Sequence, residues 1–275
     1  MNHHEAKPQP HMPYRFGAVI PFLLLHVACL LVFVLPFSWF AVALLALTYS
    51  VRMFAITAGY HRYFSHRSYR MGRVAQFVMA FVAQSSAQKG VLWWAAHHRH
   101  HHRHSDSERD VHSPLQRGFW WSHVGWILAN DYDGYDPDLV RDLAVYPEIR
   151  WLSRHHWVPS VALGVVMFVS LDFPSFFWGY VLSTVLLFHC TFTINSLAHV
   201  WGNRRFNTND DSRNNFFLAL ITFGEGWHNN HHQFMSSCRQ GLKWWEIDVT
   251  YMILRLLSLV GIVSDLREAR VSAER

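Results

Sequence analysis

The chain has 275 residues, 51% of them hydrophobic and 16% aromatic, with 24 Lys plus Arg against 19 Asp plus Glu and a formal net charge of +5. A mean hydropathy of +0.04 in so apolar a chain requires apolar segments segregated from very polar ones, the profile of a membrane protein with a substantial aqueous part. Lys and Arg are scattered among Trp and His and form no basic stripe, which speaks against nucleic acid and for a lipid-facing cytoplasmic surface.

The first segment, 1–13, with His3, His4 and His11, is expected to be a disordered, solvated tail. From Phe16 to Leu35 an apolar run reaches the roughly 20 residues that a membrane-crossing helix needs. No small-residue cleavage site closes it, so it is expected to be a retained anchor. A second run, Phe37 to Ala58, follows Pro36 at once and completes a helical hairpin. A second hairpin is expected from Trp157 to Phe173 and from Phe176 to Ile194, turning at Asp172 and Pro174. Neither hairpin loop carries Lys or Arg, so the positive-inside rule places both termini and everything between the hairpins in the cytoplasm. Val74–Ala83, Phe119–Ala129 and Ile247–Val263 are too short or too interrupted to span and are expected to be interfacial or cap helices. Cys29, Cys190 and Cys238 suggest no disulfide framework or thiolate metal knuckle and are read as free thiols in a reducing compartment. The expected architecture is an all-α integral membrane protein: one domain, 14–275, with spans at about 16–35, 37–58, 157–173 and 176–194. A cytoplasmic helical cap is expected from 59–156 and 195–275.

Three histidine clusters dominate the polar segments: His61 and His66 in HRYFSH, a central HHRHHH run, and His228, His231 and His232 in HNNHH. An even number of crossings delivers all three to one side of the membrane. HxxHH on a helix sets the first imidazole one turn from the last two, because residues three and four apart share a face. His61 and His66 are five apart, about 140° off a common face on a regular α-helix, so that box is expected to span a helix end or to grip from two directions. The central run fits HxxHH in two registers, His97/His100/His101 or His98/His101/His102, and spacing alone favours neither. Neutral imidazole suits iron, zinc, copper or nickel. A single HxxH means little in a chain with 21 histidines, but three such boxes beside predicted spans or cap helices point to a metal centre. His26 and His189 fall inside spans, where a polar group is costly and is expected to face the protein interior.

The segments ITAGYHRYFSHRSY, WWAAHHRHHHRHSD, GFWWSHVGWIL, NSLAH and FGEGWHNNHH resemble, in this order, the membrane-bound fatty acyl desaturases of the stearoyl-CoA (acyl-CoA Δ9) type, and the resemblance covers most of the chain. It implies the register His98, His101, His102, because the family box reads His-Arg-x-His-His. It adds His199 of NSLAH as a ninth ligand and Asn195 as a residue contacting a metal through water. It also implies two iron ions held by His61, His66, His98, His101, His102, His199, His228, His231 and His232, more imidazoles than one ion takes. Asp106, Asp110, Glu225 and Glu246 are candidates to orient the distal imidazole N–H groups.

The activity implied is oxygen-dependent cis-Δ9 desaturation of a long-chain acyl-CoA, with an acyl lipid as the alternative substrate. O2 is reduced to water with electrons from a separate donor, a cytochrome b5-like protein or a ferredoxin with its reductase. A bacterial cytoplasmic (inner) membrane is the expected location, with the site facing the cytoplasm. Met53 and Tyr49, about 12 and 18 Å down the second span from His61, are candidates to close the substrate tunnel. Lys89, Arg99 and Arg103 are candidates for the carrier headgroup. Rival readings are a diiron fatty acid or alkane hydroxylase, which would insert oxygen, and a membrane zinc or metal transporter, which would need ligands near mid-membrane. For a transporter the spans offer only His26, His189 and Arg52.

Overall fold

The computed structural model describes residues 14–270; the tail expected at 1–13 lies outside the described residues. Three helices are long and apolar enough to cross a membrane: α1 (Phe16–Phe33), α2 (Trp39–Ser65) and α7 (Phe173–His199). Between α2 and α7 run α3 (Arg73–Gln84), α4 (Val91–His104), α5 (Pro147–Arg154) and α6 (Val158–Ser170). After α7 come α8 (Phe216–Ile221), α9 (His228–Gln233) and α10 (Val249–Leu259). The short strands β1 (Arg70–Met71) and β2 (Val263–Ser264) pair antiparallel and tie the chain after α2 to the chain after α10.

Two spans differ from the sequence expectation. α2 does not stop at Ala58 but continues to Ser65, its last eleven residues as a π-helix, all of them buried. α6, in the expected third span, has 13 residues and rises only about 20 Å, less than a hydrocarbon core. The turn after it is as expected: Asp172 accepts the Ser175 N–H at 2.8 Å and caps α7.

α2 and α7 pack on one another through small and hydroxylated residues. Arg52, buried between them, donates to the Thr48 carbonyl (3.1 Å), to Thr184 Oγ1 (2.7 Å) and to Ser183 Oγ, so its charge is solvated by protein oxygens in place of water. Thr48 Oγ1 donates to the Gly179 carbonyl at 2.6 Å. α1 is different: no residue of it is buried, and Leu23, Leu24, Val27, Leu30 and Phe33 project outward, as a lipid-facing surface requires. The main apolar core gathers at the C-terminal end of α2, where Tyr60, Phe64, Ala80, Leu92, Leu143, Ile149, Leu152 and Leu254 pack α2, α3, α4, α5 and α10 together. That core holds the polar end of α2 rigid. The stretches expected to be interfacial or cap helices appear as α3, as Trp121–Gly125 with Trp126–Leu128, and as α10.

Candidate metal centre

The π-helix decides how His61 and His66 meet. In an α-helix residues five apart diverge, but the wider π turn bonds i to i+5 and sets such residues one above the other. The His66 N–H donates to the His61 carbonyl at 3.3 Å, and the two ring centroids lie 4.9 Å apart. On α4, His98 and His102 stack one turn apart, while His101 points to the adjacent group. On α9, His228 and His232 make the corresponding pair and His231 crosses over. Each HxxHH box therefore gives its first and last imidazoles to one group and its middle one to the other.

The result is two adjoining clusters, His61, His66, His98, His102 and His231 in one and His101, His199, His228 and His232 in the other, with the facing atoms of each cluster within 4.8 Å of one another. In the first, Nε2 atoms follow one another at 2.8 Å (His66–His98), 3.0 Å (His98–His102), 2.9 Å (His102–His231) and 3.0 Å (His231–His61). An imidazole Nε2 carries one proton or one lone pair, so five nitrogens in a row satisfy at most two of those four contacts by hydrogen bonding. A cation accepting all five lone pairs satisfies them together: ligands about 2.05 Å from one ion and at right angles are about 2.9 Å apart. In the second cluster His199 and His228 meet at 3.1 Å, and the buried Nε2 of His232 has no hydrogen-bond partner. The donor set fits two metal ions.

Four imidazoles are oriented from behind by carboxylates on Nδ1: His101 by Asp110 (3.0 Å), His199 by Asp106 (2.8 Å), His232 by Asp210 (2.7 Å), and His61 by Glu225. Such a contact holds the proton on Nδ1 and leaves the Nε2 lone pair facing the cluster. Burial works against the charged carboxylates, but their imidazole partners, with Ser113 at Asp106, Ser212 at Asp210 and Arg62 at Glu225, outweigh it and hold Asp106 down to about 2, with Asp110, Asp210 and Glu225 also below the usual carboxylate range. Burial pushes His66, His98, His102, His228 and His231 well below the usual imidazole range, keeping them neutral as ligands must be. Burial also lowers the proton affinity of His101, but Asp110, Asp106 and Asp210 outweigh it and the group ends above its ordinary value.

Glu246 departs from its expected role. It accepts from Asn230 Nδ2 (2.9 Å) and from the Leu242 and Lys243 N–H groups, and touches no imidazole. The sequence reading missed Asp210, whose only signal was an acidic pair between NSLAH and the last box. It also missed Arg62, a fully buried cation that meets Asp248 (3.0 Å) and Glu225 (3.4 Å). In the central run His97 and His100 stay outside both clusters, held by the Trp93 and Arg109 carbonyls.

Two cavities open onto the clusters. The larger, about 380 Å³, runs from Arg15, Lys89 and His156 past Trp93 and Trp126 to Trp94, His98, Thr191 and Asn195. The smaller, about 50 Å³, shares those last four residues and ends at Met53, Ile56 and Thr222. Met53 thus lies at the far end. Tyr49 lines neither cavity; it stands behind Met53 and donates to the Ile221 carbonyl at 2.5 Å. Asn195 faces both cavities beside the clusters. Of the three headgroup candidates only Lys89 lines a cavity, where it pairs with Asp133 at 2.7 Å; burial, then Arg15, lower it to about 8. Arg99 and Arg103 do not take the expected place. Arg99 is spent on the Phe64, Ser65 and Leu139 carbonyls and on Asp142, a clamp between α2 and α4, and Arg103 is exposed and away from both cavities.

A family model described as fatty acid desaturase matches residues 37–256. The icosanoyl-CoA 5-desaturase of Limnanthes douglasii is 38% identical over 237 residues, 84% of this chain and 66% of that protein. The sn-1 stearoyl-lipid 9-desaturase of Anabaena variabilis is 36% identical over 251 residues, 90% of this chain and 92% of its own. The chloroplastic palmitoyl-monogalactosyldiacylglycerol delta-7 desaturase of Arabidopsis thaliana is 36% identical over 256 residues, 92% of this chain and 68% of that protein.

Proposed function

The chain belongs to the fatty acid desaturase family, and from that premise we propose that it introduces a cis double bond, at Δ9, into a long-chain fatty acyl group. One O2, two electrons and two protons convert one –CH2–CH2– unit into –CH=CH– and two waters. The observation that carries this reading is the pair of histidine clusters set against the junction of two cavities. The relatives include enzymes named for acyl-CoA and for acyl-lipid substrates, so the carrier is a separate question.

Two iron ions, one held by His61, His66, His98, His102 and His231 and the other by His101, His199, His228 and His232, would supply the reduction of O2 that removal of unactivated hydrogens demands. The protein's own part is placement and exclusion of water. The larger cavity, within the usual size range of ligand pockets, takes the carboxyl half of the chain, and the smaller one takes the methyl end as far as Met53. The junction at Trp94, His98, Thr191 and Asn195 then presents the methylenes to be desaturated. Asn195, which lines both cavities beside the clusters, would meet one metal through water. Glu225, Asp106, Asp110 and Asp210 keep the Nε2 lone pairs aimed while substrate replaces solvent. Lys89, beside Asp133 at the wide end, faces the carrier.

The proposed setting is a bacterial cytoplasmic membrane with α1, α2 and α7 as crossings, the segment 157–173, of which α6 is the 13-residue helical part, as the fourth, and the clusters and both termini on the cytoplasmic side. The loops after α1 and α6 lack Lys and Arg, in line with that orientation. Electrons come from a separate cytochrome b5-like or ferredoxin system. The deciding experiment is expression in a host without this activity, with mass spectrometry of double-bond position and iron analysis of the purified protein. The expected outcome is a cis-Δ9 acyl product with no added oxygen and two irons per chain. A hydroxylated product, or bound zinc without an acyl product, would sink the reading.

A further inference from the structure

Three histidines outside the clusters form a chain, two of them on the spanning helices α1 and α7 and one on the short helix Trp121–Gly125. His26 on α1 meets His189 on α7 (Nε2 to Nε2, 2.8 Å), His189 Nδ1 meets His123 Nε2 (2.9 Å), and His123 Nδ1 meets Ser196 Oγ (3.0 Å). Its direction is fixed at one end: His26 Nδ1 lies 2.6 Å from the Phe22 carbonyl, which can only accept. The proton therefore sits on His26 Nδ1, and His26 Nε2 accepts from His189. His189 Nδ1 then accepts from His123, and His123 Nδ1 faces the Ser196 hydroxyl, whose one proton is also within reach of the Phe192 carbonyl at 3.0 Å. The His26–His189 and His189–His123 contacts are both satisfied with all three imidazoles neutral. Among the described residues the His26–His189 contact is the one side-chain hydrogen bond between α1 and α7.

α1 is also the wall of the larger cavity. Gly17, Ala18, Pro21, Phe22 and Leu25 line it from inside, while Leu23, Leu24 and Val27 face outward. One apolar helix without a buried residue separates the cavity from the outer surface. Pro21 has no N–H to give the Gly17 carbonyl, so the wall is softest at its middle. Its N-terminal end is braced instead: Tyr14 bridges Ala129, the Arg15 N–H donates to the Leu128 carbonyl at 2.9 Å, and Arg15 and Lys89 share Asp133.

We propose that α1 is a lateral gate, latched by the His26–His189 hydrogen bond, through which the acyl chain of a bilayer glycerolipid slides sideways into the cavity. This rests on the desaturase reading and names its substrate class: the carrier stays in the membrane. Opening breaks one N–H···N bond and leaves His26 bonded to its own helix at Phe22. His123 and Ser122 hold Ser196 Oγ and the Asn195 carbonyl, so the latch is anchored on the turn that presents Asn195 and His199 to the junction.

The test uses the full chain in nanodiscs. His26→Cys and His189→Cys, in a Cys29→Ser, Cys190→Ser background, are joined by a reducible bis-maleimide. The probe is phosphatidylcholine with a diazirine-tipped acyl chain, and photoadducts on Phe188, Phe192 and Trp94 are counted by mass spectrometry. Stapling should cut those adducts by about tenfold or more, and reduction should restore them, with iron content unchanged. The matching diazirine acyl-CoA should label the open protein about tenfold less than the lipid does. Unchanged lipid labelling in the stapled protein, or equal labelling by acyl-CoA, overturns the gate. If the double variant binds no iron, His26→Phe serves in its place: faster labelling than the parent supports the latch, and an unchanged rate overturns it. Photolabelling needs no turnover, so a protein that takes up the lipid yet desaturates no carrier refutes the desaturase reading and leaves the gate standing.

Discussion

At the scale of single residues the candidate site is a problem in aiming nitrogen lone pairs. Asp210 holds His232 from behind at 2.7 Å, and the buried Nε2 opposite has no partner among the described residues. Asp210→Asn keeps the size but offers His232 either tautomer, so affinity for the metal of the second cluster should fall by about 10- to 100-fold, read by chelator competition. An unchanged affinity would show that Asp210 merely fills space. The two registers of the central box separate just as cleanly. His102→Ala should remove an imidazole from the five-histidine cluster and abolish activity with loss of iron, whereas His97→Ala should keep both irons, since His97 bonds the Trp93 carbonyl and lies outside the clusters. The opposite outcome in iron analysis would overturn the assignment. Imidazole spacing was readable in the sequence because two of the boxes ride on helices with their regular turn. The carboxylates were only partly readable. Asp106 and Asp110 sit just after α4, beside the central box, whereas Asp210 lies in a loop that belongs to none of the histidine motifs, and Glu246 has the right chemistry but is taken by backbone N–H groups.

At the scale of elements, the unforeseen feature is the π-helix at the end of α2. A 3.6-residue period predicts that His61 and His66 diverge; the wider turn removes the conflict, and nothing in the residue types of Ala55–Ser65 announces it. Helix ends were misjudged for a related reason. Hydropathy marks where a chain stops being apolar, but α2 stays helical beyond Ala58 because the core around Tyr60 and Phe64 buries it. α9 depends on an equally local constraint. A Cβ at Gly226 would lie 2.1 Å from the Ala219 N and 2.5 Å from the Asn215 carbonyl oxygen, backbone that cannot rotate aside. Gly226→Ala must therefore push the start of α9 off α8, at a cost of about 1–3 kcal/mol. Because α9 serves both clusters, iron should fall in both and not in one, by Mössbauer area or by simple stoichiometry. Full loading of Gly226→Ala would mean that α9 does not set the site.

For the whole molecule, the consequence of concentrating so many imidazoles is a dependence of stability on pH. Burial holds His66, His98, His102, His228 and His231 well below the ordinary 6.5, His97 and His232 at about 4, and His112 at about 3. Below pH 6.5 the unfolded chain takes up protons at these positions and the folded chain does not. The unfolded state then binds more protons, so stability must fall as the pH falls. His101 acts in the opposite sense, since its raised value favours the folded state below 6.5, but it is one group against eight. The carboxylates stay out of this window: the contribution of Asp106 is complete above its ordinary 3.8 and is lost only as the pH falls toward about 2. Metal-free protein in detergent should therefore show a constant Tm above about pH 7 and a continuous decline from 6.5 toward 4. The iron-loaded protein should hold its Tm further into acid, because a ligated nitrogen cannot take a proton until the metal leaves. A Tm of the metal-free protein that stays level or rises between pH 6.5 and 4 would show that these imidazoles are not buried neutral, and the clusters would lose their physical basis as preformed metal sites.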